Sequence, residues 1–228
     1  MALFQRYTGE WFPALNTAVI RVCCLLTLIL CSSDMVADEL EDLSVTAADG
    51  EYSLQAAVVL NAPVDYVYKI ITDYKNAYRI NPAITSVEIL PSGHDDVVRV
   101  RNLSEQCVGL FCFVIAWAGD ITETGDGDLE VKTLPGLSDF VSGSASWRIH
   151  PQGERTSVLY ESRLKPAFFI PPVIGDIILK NHIKNDTLAT FKRIECQAMI
   201  MLVVDMAYLP NDFEQISKEG KECLNPLG

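Results

Sequence analysis

The stretch from Ser138 to Glu195 combines two strand patterns with one long helical pattern. In the first strand pattern, Phe140–Ile149, every second position is small or apolar: Val141, Gly143, Ala145, Trp147 and Ile149. Such alternation is typical of a strand with one buried face. A His-Pro-Gln-Gly turn ends this strand, and a second strand is predicted at Ser157–Lys165. No proline follows Pro171-Pro172 before Glu195, which predicts a long helix that closes over the two strands.

The predicted helix carries a mixed stripe of residues at helical spacing. The stripe is apolar at both ends and has amides in its middle: Ile174, Ile177, Ile178, Asn181, Asn185, Leu188 and Phe191. One interpretation is a bent helix whose amides are solvated or capped. The other is a helix that encloses a cavity against a curved sheet, with the amides reaching into the cavity. In the second case the predicted ligand-binding wall consists of Trp117, Val141, Trp147, Tyr160, Phe168, Ile174, Ile178 and Asn181.

A series of short motifs along residues 50–195 resembles a known superfamily. In chain order the motifs are Pro63, Thr72-Asp-Tyr74, Ile80-Asn-Pro82, Ser138-Asp-Phe140, Gly143, Trp147, Thr156, Tyr160, Leu164, Pro166, Phe168, Pro171-Pro172 and Gly175. Together they resemble a bacterial branch of the START/Bet v 1-like superfamily. Its relatives are called SRPBCC, polyketide cyclase/dehydrase and lipid transport, or coenzyme Q-binding START-type proteins.

The resemblance implies an α+β helix-grip fold. This fold is a curved antiparallel sheet, here of about six to seven strands, around a long C-terminal helix. A lipid-sized cavity lies between the two. Members of the superfamily carry lipids, sterols, quinones or polyketides, and a minority are enzymes. No residue-level code for a ligand comes with the resemblance.

Three functions are compatible with such a fold. The first is binding, and transport or presentation, of a hydrophobic small molecule such as a lipid or quinone-like isoprenoid. The second is a cyclase- or dehydratase-like enzyme, for which Tyr160, His182 and Arg99 are candidate acid–base groups without an identifiable partner. The third is an interaction module without a ligand. We favour the first, in which the partner is the hydrophobic ligand, no residue is catalytic and no cofactor is needed.

Charged residues limit the range of partners. The chain has 18 Lys and Arg against 30 Asp and Glu, a formal net charge of −12, which argues against nucleic acid as a partner. The basic residues of the last helix are either a local patch or, as we favour, a solvated face: Lys180, Lys184, Lys192 and Arg193. Arg99 and Arg101 share one face of a predicted strand, Asp96–Leu103. They are either solvated or bind a ligand carboxylate or phosphate in the cavity.

The N-terminal segment resembles an export signal. Arg6 and Arg21 precede an apolar run of ten residues, Val22–Cys31, and small residues follow within residues 1–37. The run is shorter than the roughly 20 residues that span a bilayer. We therefore expect a protein secreted to a bacterial periplasm, with an uncleaved N-terminal anchor as the alternative.

Two further segments flank the domain predicted at residues 51–195. Residues 38–50 are acidic and are predicted to form an irregular leader. Residues 196–228 are predicted to be a C-terminal extension whose apolar part is Ala198–Leu209. This part either packs against the domain or makes transient contact with a membrane or another protein.

Cysteine spacing gives the most specific local chemistry in the chain. Cys107 and Cys112 flank a predicted turn at Gly109, and in an exported protein such a pair is expected to form a disulfide. Free buried thiols and a metal or redox site are the alternatives. The three histidines do not occur at ligand spacing, so no metal site is predicted. Cys196 and Cys223 are candidates for a second disulfide.

Overall fold

The computed structural model describes residues 40–108, 110–170 and 175–206, all within one compact unit. Across these ranges the chain forms a sheet of eight strands: β1 (Leu40–Ala48), β2 (Glu51–Leu60), β3 (Ile84–Leu90), β4 (Val97–Val108), β5 (Phe111–Glu123), β6 (Leu129–Thr133), β7 (Phe140–Gln152) and β8 (Arg155–Pro166). The α-helices in the same ranges are α1 (Val64–Ile71) and α2 (Gly175–Met206). Short 3₁₀ helices lie at Tyr74–Arg79 and Pro135–Leu137.

The sheet is antiparallel throughout, with the strand order β1-β2-β8-β7-β6-β5-β4-β3. Consecutive hairpins join β3 to β8, and β8 then pairs with β2, so that Val158 lies opposite Val58. Helix α1 and the first 3₁₀ helix carry the chain from β2 to β3, and α2 follows β8. This curved sheet with its long C-terminal helix is a helix-grip α+β fold. The predicted fold class is therefore confirmed.

Strand β1 corrects the expectation of an irregular acidic leader at residues 38–50. Leu40–Ala48 pairs antiparallel with β2 and adds an eighth strand to the expected six or seven. Leu43, Val45 and Ala47 are partly buried, while Thr46 and Ala48 are exposed. From Val45 to Ala48 this is the period of two expected for a strand with one covered face, and before it Ser44 is partly buried as well. The sheet therefore begins before the predicted domain start at residue 51.

The buried core occupies one end of the domain. It joins the C-terminal end of β2 to the N-terminal end of β8 and to the second half of α2, through Leu60, Val158 and Ile194. Helix α1 adds Val67, whose side chain is 0% exposed. Burial of apolar surface stabilises such a core by about 25 cal/mol per Å². The opposite end of the sheet is left to be covered by the first half of α2.

Helix α2 corrects the predicted boundary after Glu195. The helix continues without a break to Met206, and Ala198 is fully buried against the core. The first part of the predicted extension is therefore the last part of the closing helix. The predicted helix start at Pro171-Pro172 and residues 207–228 lie outside the described residues. Neither described helix is long and apolar enough to cross a membrane.

The β4–β5 hairpin is closed by a disulfide. Cys107 and Cys112 are paired in the strand register and bonded through their sulfurs, as predicted from their spacing. The predicted second disulfide involves Cys196, in α2, and Cys223, which lies outside the described residues. The predicted export signal at residues 1–37 also lies outside them.

Candidate functional site

A cavity of about 540 Å³ lies between the sheet and the first half of α2. The sheet contributes aromatic, aliphatic and a few hydroxyl side chains, among them Trp117, Leu129, Val131, Thr133, Trp147, Tyr160, Ser162 and Leu164. The first 3₁₀ helix and the residues after β8 complete the wall, with Tyr74, Ala77, Phe168, Phe169 and Ile170. The cavity thus begins where the packed core ends, and its surface is mostly apolar.

The face of α2 that covers the cavity is Leu179, His182, Ile183, Asp186, Thr187, Thr190 and Phe191. These positions follow the helical repeat, but they are rotated from the stripe predicted through Ile178, Asn181 and Asn185. Ile178 is 50% exposed, and both asparagines are exposed. The predicted amide-lined face is therefore wrong, and Ile178 and Asn181 do not line the cavity. Ile174 lies outside the described residues.

Of the sheet residues predicted to line the cavity, three do so: Trp117, Trp147 and Tyr160. Phe168, in the segment after β8, also lies on the wall. Val141 does not, and its side chain is 53% exposed. The cause is a β-bulge: Phe140 lies opposite Pro166 and Ser142 opposite Lys165, which leaves Val141 as the extra residue. The bulge interrupts the alternation from which Val141 was predicted to point inward.

Three aromatic rings pack together where the cavity meets the core. The ring centroids of Trp147 and Tyr160 are 4.3 Å apart, and that of Phe191 lies 5.9 Å and 6.4 Å from them. Burial raises the pKa of the Tyr160 phenol, which keeps it neutral. The indole nitrogen of Trp117 donates to Oγ1 of Thr133 at 3.1 Å, so its polar edge is satisfied within the wall. This end of the cavity therefore has an aromatic wall.

Polar side chains collect on the opposite side of the cavity. Nε2 of His182 lies 3.1 Å from Oε1 of Gln106 and 3.4 Å from Oδ2 of Asp186. Loss of hydration on burial raises the pKa of the Asp186 carboxyl, and nearby His182 and Arg193 oppose that change. His182 was a sequence candidate without a partner, and the structure supplies two. The spacing of His182 and Asp186, four residues apart on a helix, was the available sequence indication.

The two arginines of β4 take no part in the cavity. Arg99 makes a bidentate ion pair with Asp120 on β5, at 2.7 Å and 2.9 Å. The hydrogen bond from Arg99 holds the pKa of the Asp120 carboxyl below its usual range. Arg101 faces Glu88 on β3 at 3.8 Å. These cross-strand partners remove Arg99 from the acid–base candidates and both arginines from the predicted anion contacts.

A group of three potential metal ligands, Glu105, Cys107 and Cys112, lies at the end of the β4–β5 hairpin. Both of its sulfurs are joined in the disulfide. A metal binds the thiolate form of cysteine, so this group offers only the Glu105 carboxylate. It therefore does not form a candidate metal centre in the oxidised protein.

Two tyrosines near the cavity differ in how their hydroxyls are satisfied. The hydroxyl of Tyr68 donates to Oε2 of Glu123 at 2.6 Å, and burial with this hydrogen bond raises the pKa of Tyr68 to about 12. The Tyr74 hydroxyl is buried and has no hydrogen-bond partner among the described residues. Burial, followed by the charge of Glu123, raises the pKa of Tyr74. Tyr74 therefore carries an uncompensated polar atom in the cavity wall.

Comparisons with known proteins agree on the kind of domain. A sequence profile of the family described as polyketide cyclase/dehydrase and lipid transport matches residues 60–185, more than half of the 228-residue chain. No curated protein matches the chain.

Solved structures share the fold at low sequence identity. The Zhui aromatase/cyclase from Streptomyces sp. R1128 is 17% identical with a TM-score of 0.55, covering 67% of this chain and 96% of its own. A STAR-related lipid transfer protein from Xanthomonas axonopodis is 16% identical with a TM-score of 0.51, covering 69% and 98%. A START superfamily protein from Mycobacterium smegmatis is 15% identical with a TM-score of 0.50, covering 63% and 97%. Identities this low indicate a common fold and leave function open.

Replacing each of the two tyrosines by phenylalanine is expected to have different effects on stability. Tyr74→Phe removes a buried hydroxyl without a partner, so the free energy of unfolding should stay unchanged or rise by up to about 1 kcal/mol. Tyr68→Phe removes the hydrogen bond to Glu123 and should lower the free energy of unfolding by about 1 kcal/mol. Urea denaturation of both variants measures the difference. A clear loss of stability in Tyr74→Phe would show that its hydroxyl is bonded after all.

Asp186→Asn is expected to stabilise the protein near pH 7. Because burial raises the pKa of Asp186 in the folded state, the folded state binds its proton more tightly than the unfolded chain does. The ionised Asp186 carboxylate therefore destabilises the wild-type protein most at pH values above its folded-state pKa. This destabilisation disappears at pH values below the pKa that the carboxyl has in the unfolded chain. The gain in Asp186→Asn should shrink as pH falls from 7 to about 4.

Thermal unfolding of Asp186→Asn and of a control, Asp126→Asn, across this pH range measures that change. Asp126 lies in an exposed turn, so its variant should follow the wild-type pH profile. A gain in Asp186→Asn that stays constant with pH would exclude the titration of this carboxyl as its cause.

Proposed function

Because the chain belongs to the polyketide cyclase/dehydrase and lipid transport family, we propose that it binds a hydrophobic small molecule in the cavity and transports or presents it. The observation that carries the proposal is the cavity itself, about 540 Å³ with a wall of mainly aromatic and aliphatic side chains. Its volume lies within the range of about 300–1,000 Å³ common for small-molecule sites.

A long apolar ligand suits this wall better than a compact polar one. Each methylene that leaves water contributes about 0.8 kcal/mol, so an acyl or isoprenoid chain gains affinity from length alone. The ring faces of Trp147, Tyr160 and Phe191 offer contacts to a chain or a planar ring. We therefore propose a lipid or a quinone-like isoprenoid as the ligand class.

A cyclase- or dehydratase-like enzyme is the second candidate. It is favoured by His182, which lines the cavity with Asp186 at 3.4 Å and so has the partner an acid–base group needs. The aromatase/cyclase among the structural neighbours shows that the fold is compatible with such chemistry. We rank binding first because these polar groups lie along one side of a cavity whose remaining wall is mainly apolar.

We further propose that the protein acts in a bacterial periplasm. The apolar run Val22–Cys31 supports export, and the disulfide between Cys107 and Cys112 suits an oxidising compartment. Purification for the cargo measurement below therefore starts from the periplasmic fraction of producing cells. Recovery of the protein from the cytosol alone would contradict this part of the proposal.

Mass spectrometry under native conditions, on protein purified without detergent, tests for cargo. We expect a stoichiometric non-covalent ligand that solvent extraction releases as a lipid or isoprenoid. Ile183→Trp, which fills the cavity from α2, should weaken the affinity for the cargo about tenfold or more, the equivalent of about 1.4 kcal/mol, and so lower its occupancy. The control Asn185→Trp lies on the exposed face of the same helix and should keep the cargo. An empty protein that also takes up nothing from a mixed lipid and quinone extract would refute the proposal.

Transient contact with a membrane is a further part of the proposal. Phe169 lines the cavity and is also 76% exposed, which identifies it as part of the mouth. Near the start of α2, Ile177 is 76% exposed as well. A hydrophobic cargo that enters or leaves beside such side chains avoids crossing water. With a net charge of −12, attraction to anionic lipids is not expected to supply the binding.

Co-sedimentation with phosphatidylcholine vesicles tests the membrane contact. The double variant Phe169→Ser/Ile177→Ser should bind about tenfold more weakly than wild type, because it loses about 1.4 kcal/mol or more of apolar burial. A matched double variant, Met199→Ser/Val203→Ser, removes partly exposed apolar residues from the far half of α2 and should bind like wild type. Equal losses in the two variants would argue against a specific membrane-facing mouth.

A further inference from the structure

A second pocket of about 380 Å³ adjoins the main cavity, between the edge of the sheet at β3 and β4 and the middle of α2. Five residues line both spaces and separate them: Asn81, Gln106, His182, Asp186 and Thr190. We call these five residues the polar partition. All five side chains can form hydrogen bonds, whereas most of the remaining main-cavity wall is apolar. The main cavity therefore has one polar side, and a more polar pocket lies behind it.

Some of the hydrogen-bonding capacity of the partition is not used within the protein. Oδ1 of Asn81 accepts from the backbone N–H of Ala83 at 3.1 Å, and Oε1 of Gln106 accepts from His182. Neither side-chain amide nitrogen has a partner in the part of the chain that the structure describes. Two N–H₂ groups thus remain as donors, next to the Asp186 carboxyl as an acceptor. A hydroxyl group, which both donates and accepts, matches this set.

The second pocket is lined by charged groups of both signs. Its wall contains the acidic side chains Glu105 and Asp186, the basic Arg193 and the titratable His182. A phosphate or carboxylate head would meet two acidic groups, and an ammonium head would meet Arg193. An uncharged head meets neither repulsion, and it carries no ionic hydration shell that must be removed on entry.

From this arrangement we infer that the ligand is amphipathic, with an uncharged hydroxyl head. The head binds the polar partition on the side of the second pocket, and the apolar body lies in the main cavity toward Trp147 and Tyr160. This inference rests on the proposed function and adds to it the chemistry and orientation of the ligand. It assigns Gln106 and Asp186 as specificity residues for the head.

Displacement of the uncharged fluorophore N-phenyl-1-naphthylamine from the purified protein tests the inference. The competitors share a ten-carbon chain and differ in the head: 1-decanol, 1-fluorodecane, decanoate and decylammonium. In wild type we expect 1-decanol to compete about tenfold better than 1-fluorodecane, which corresponds to about 1.4 kcal/mol. It should also compete better than either charged compound.

Gln106→Leu and Asp186→Leu should each bring 1-decanol to the level of 1-fluorodecane, when the two competitors are compared within the same variant. Two separate variants keep the test informative if one of them does not fold. Asn185→Leu, on the exposed face of α2 outside both spaces, is the control and should keep the wild-type preference.

The outcomes separate the inference from the function on which it rests. Fluorophore binding without a preference for 1-decanol, or a preference that survives in both variants, overturns the inference and leaves the hydrophobic cavity intact. Stronger competition by decanoate or decylammonium overturns the uncharged head. Failure of the fluorophore and of every competitor to bind overturns the proposed function, and the inference with it.

Discussion

The domain is held together by packing of the second half of α2 against the end of the sheet that carries the buried core, at the C-terminal end of β2 and the N-terminal end of β8. Ile194 and Ala198 are 0% exposed there and belong to one core cluster with Val67 of α1. Beneath the first half of the same helix lies the cavity instead of a core. Because an α-helix of this length is stiff, the second half of α2, which packs on the core, can keep the first half in position over the cavity, where it makes few packing contacts. The cavity exists because the helix is long enough to do both.

A cavity weakens the fold that contains it. Wall atoms that face open space lose the dispersion contacts they would make in a packed interior. The same region contains the unpartnered hydroxyl of Tyr74 and the poorly hydrated carboxyl of Asp186. Local departures from good packing and good hydrogen bonding are expected where function, rather than stability, selects the residues. A ligand that fills the space stabilises the folded state by mass action, which links occupancy to stability.

The sequence was informative about strands and much less so about the cavity wall. Alternation located β7 and β8, and the predicted helix-grip fold agrees with the observed sheet and helix. Strand β1 was not predicted because two acidic residues, Glu41 and Asp42, precede its partly buried Leu43 and Val45 and hide the strand pattern. Helix α2 was assigned the wrong face because Ile177 and Ile178 are apolar yet exposed at the start of the helix.

The polar partition could not be predicted from the sequence, for a different reason. Its members come from the loop after the first 3₁₀ helix, from β4 and from α2, so only the folded topology brings Asn81, Gln106 and His182 together. The periodicity of a strand or helix can be recognised within one short segment of sequence. A site formed by distant segments depends in addition on strand register and on the rotation of each helix about its axis. The bulge at Val141 shows how one additional residue changes which side chains face inward.

One side of the cavity is aromatic and the other is polar, and this difference affects how a ligand would be oriented in it. Aromatic rings line the side nearest the core, and the polar partition lies toward the β3–β4 edge. An entirely apolar ligand would leave the side-chain amide nitrogens of Asn81 and Gln106 without partners once water is displaced. A ligand with a hydrogen-bonding head avoids that cost, because unmade hydrogen bonds in a dry site oppose binding more strongly than made ones favour it. For an amphipathic ligand of the kind proposed above, the same asymmetry would favour one orientation, and the head group rather than the tail would then distinguish one ligand from another.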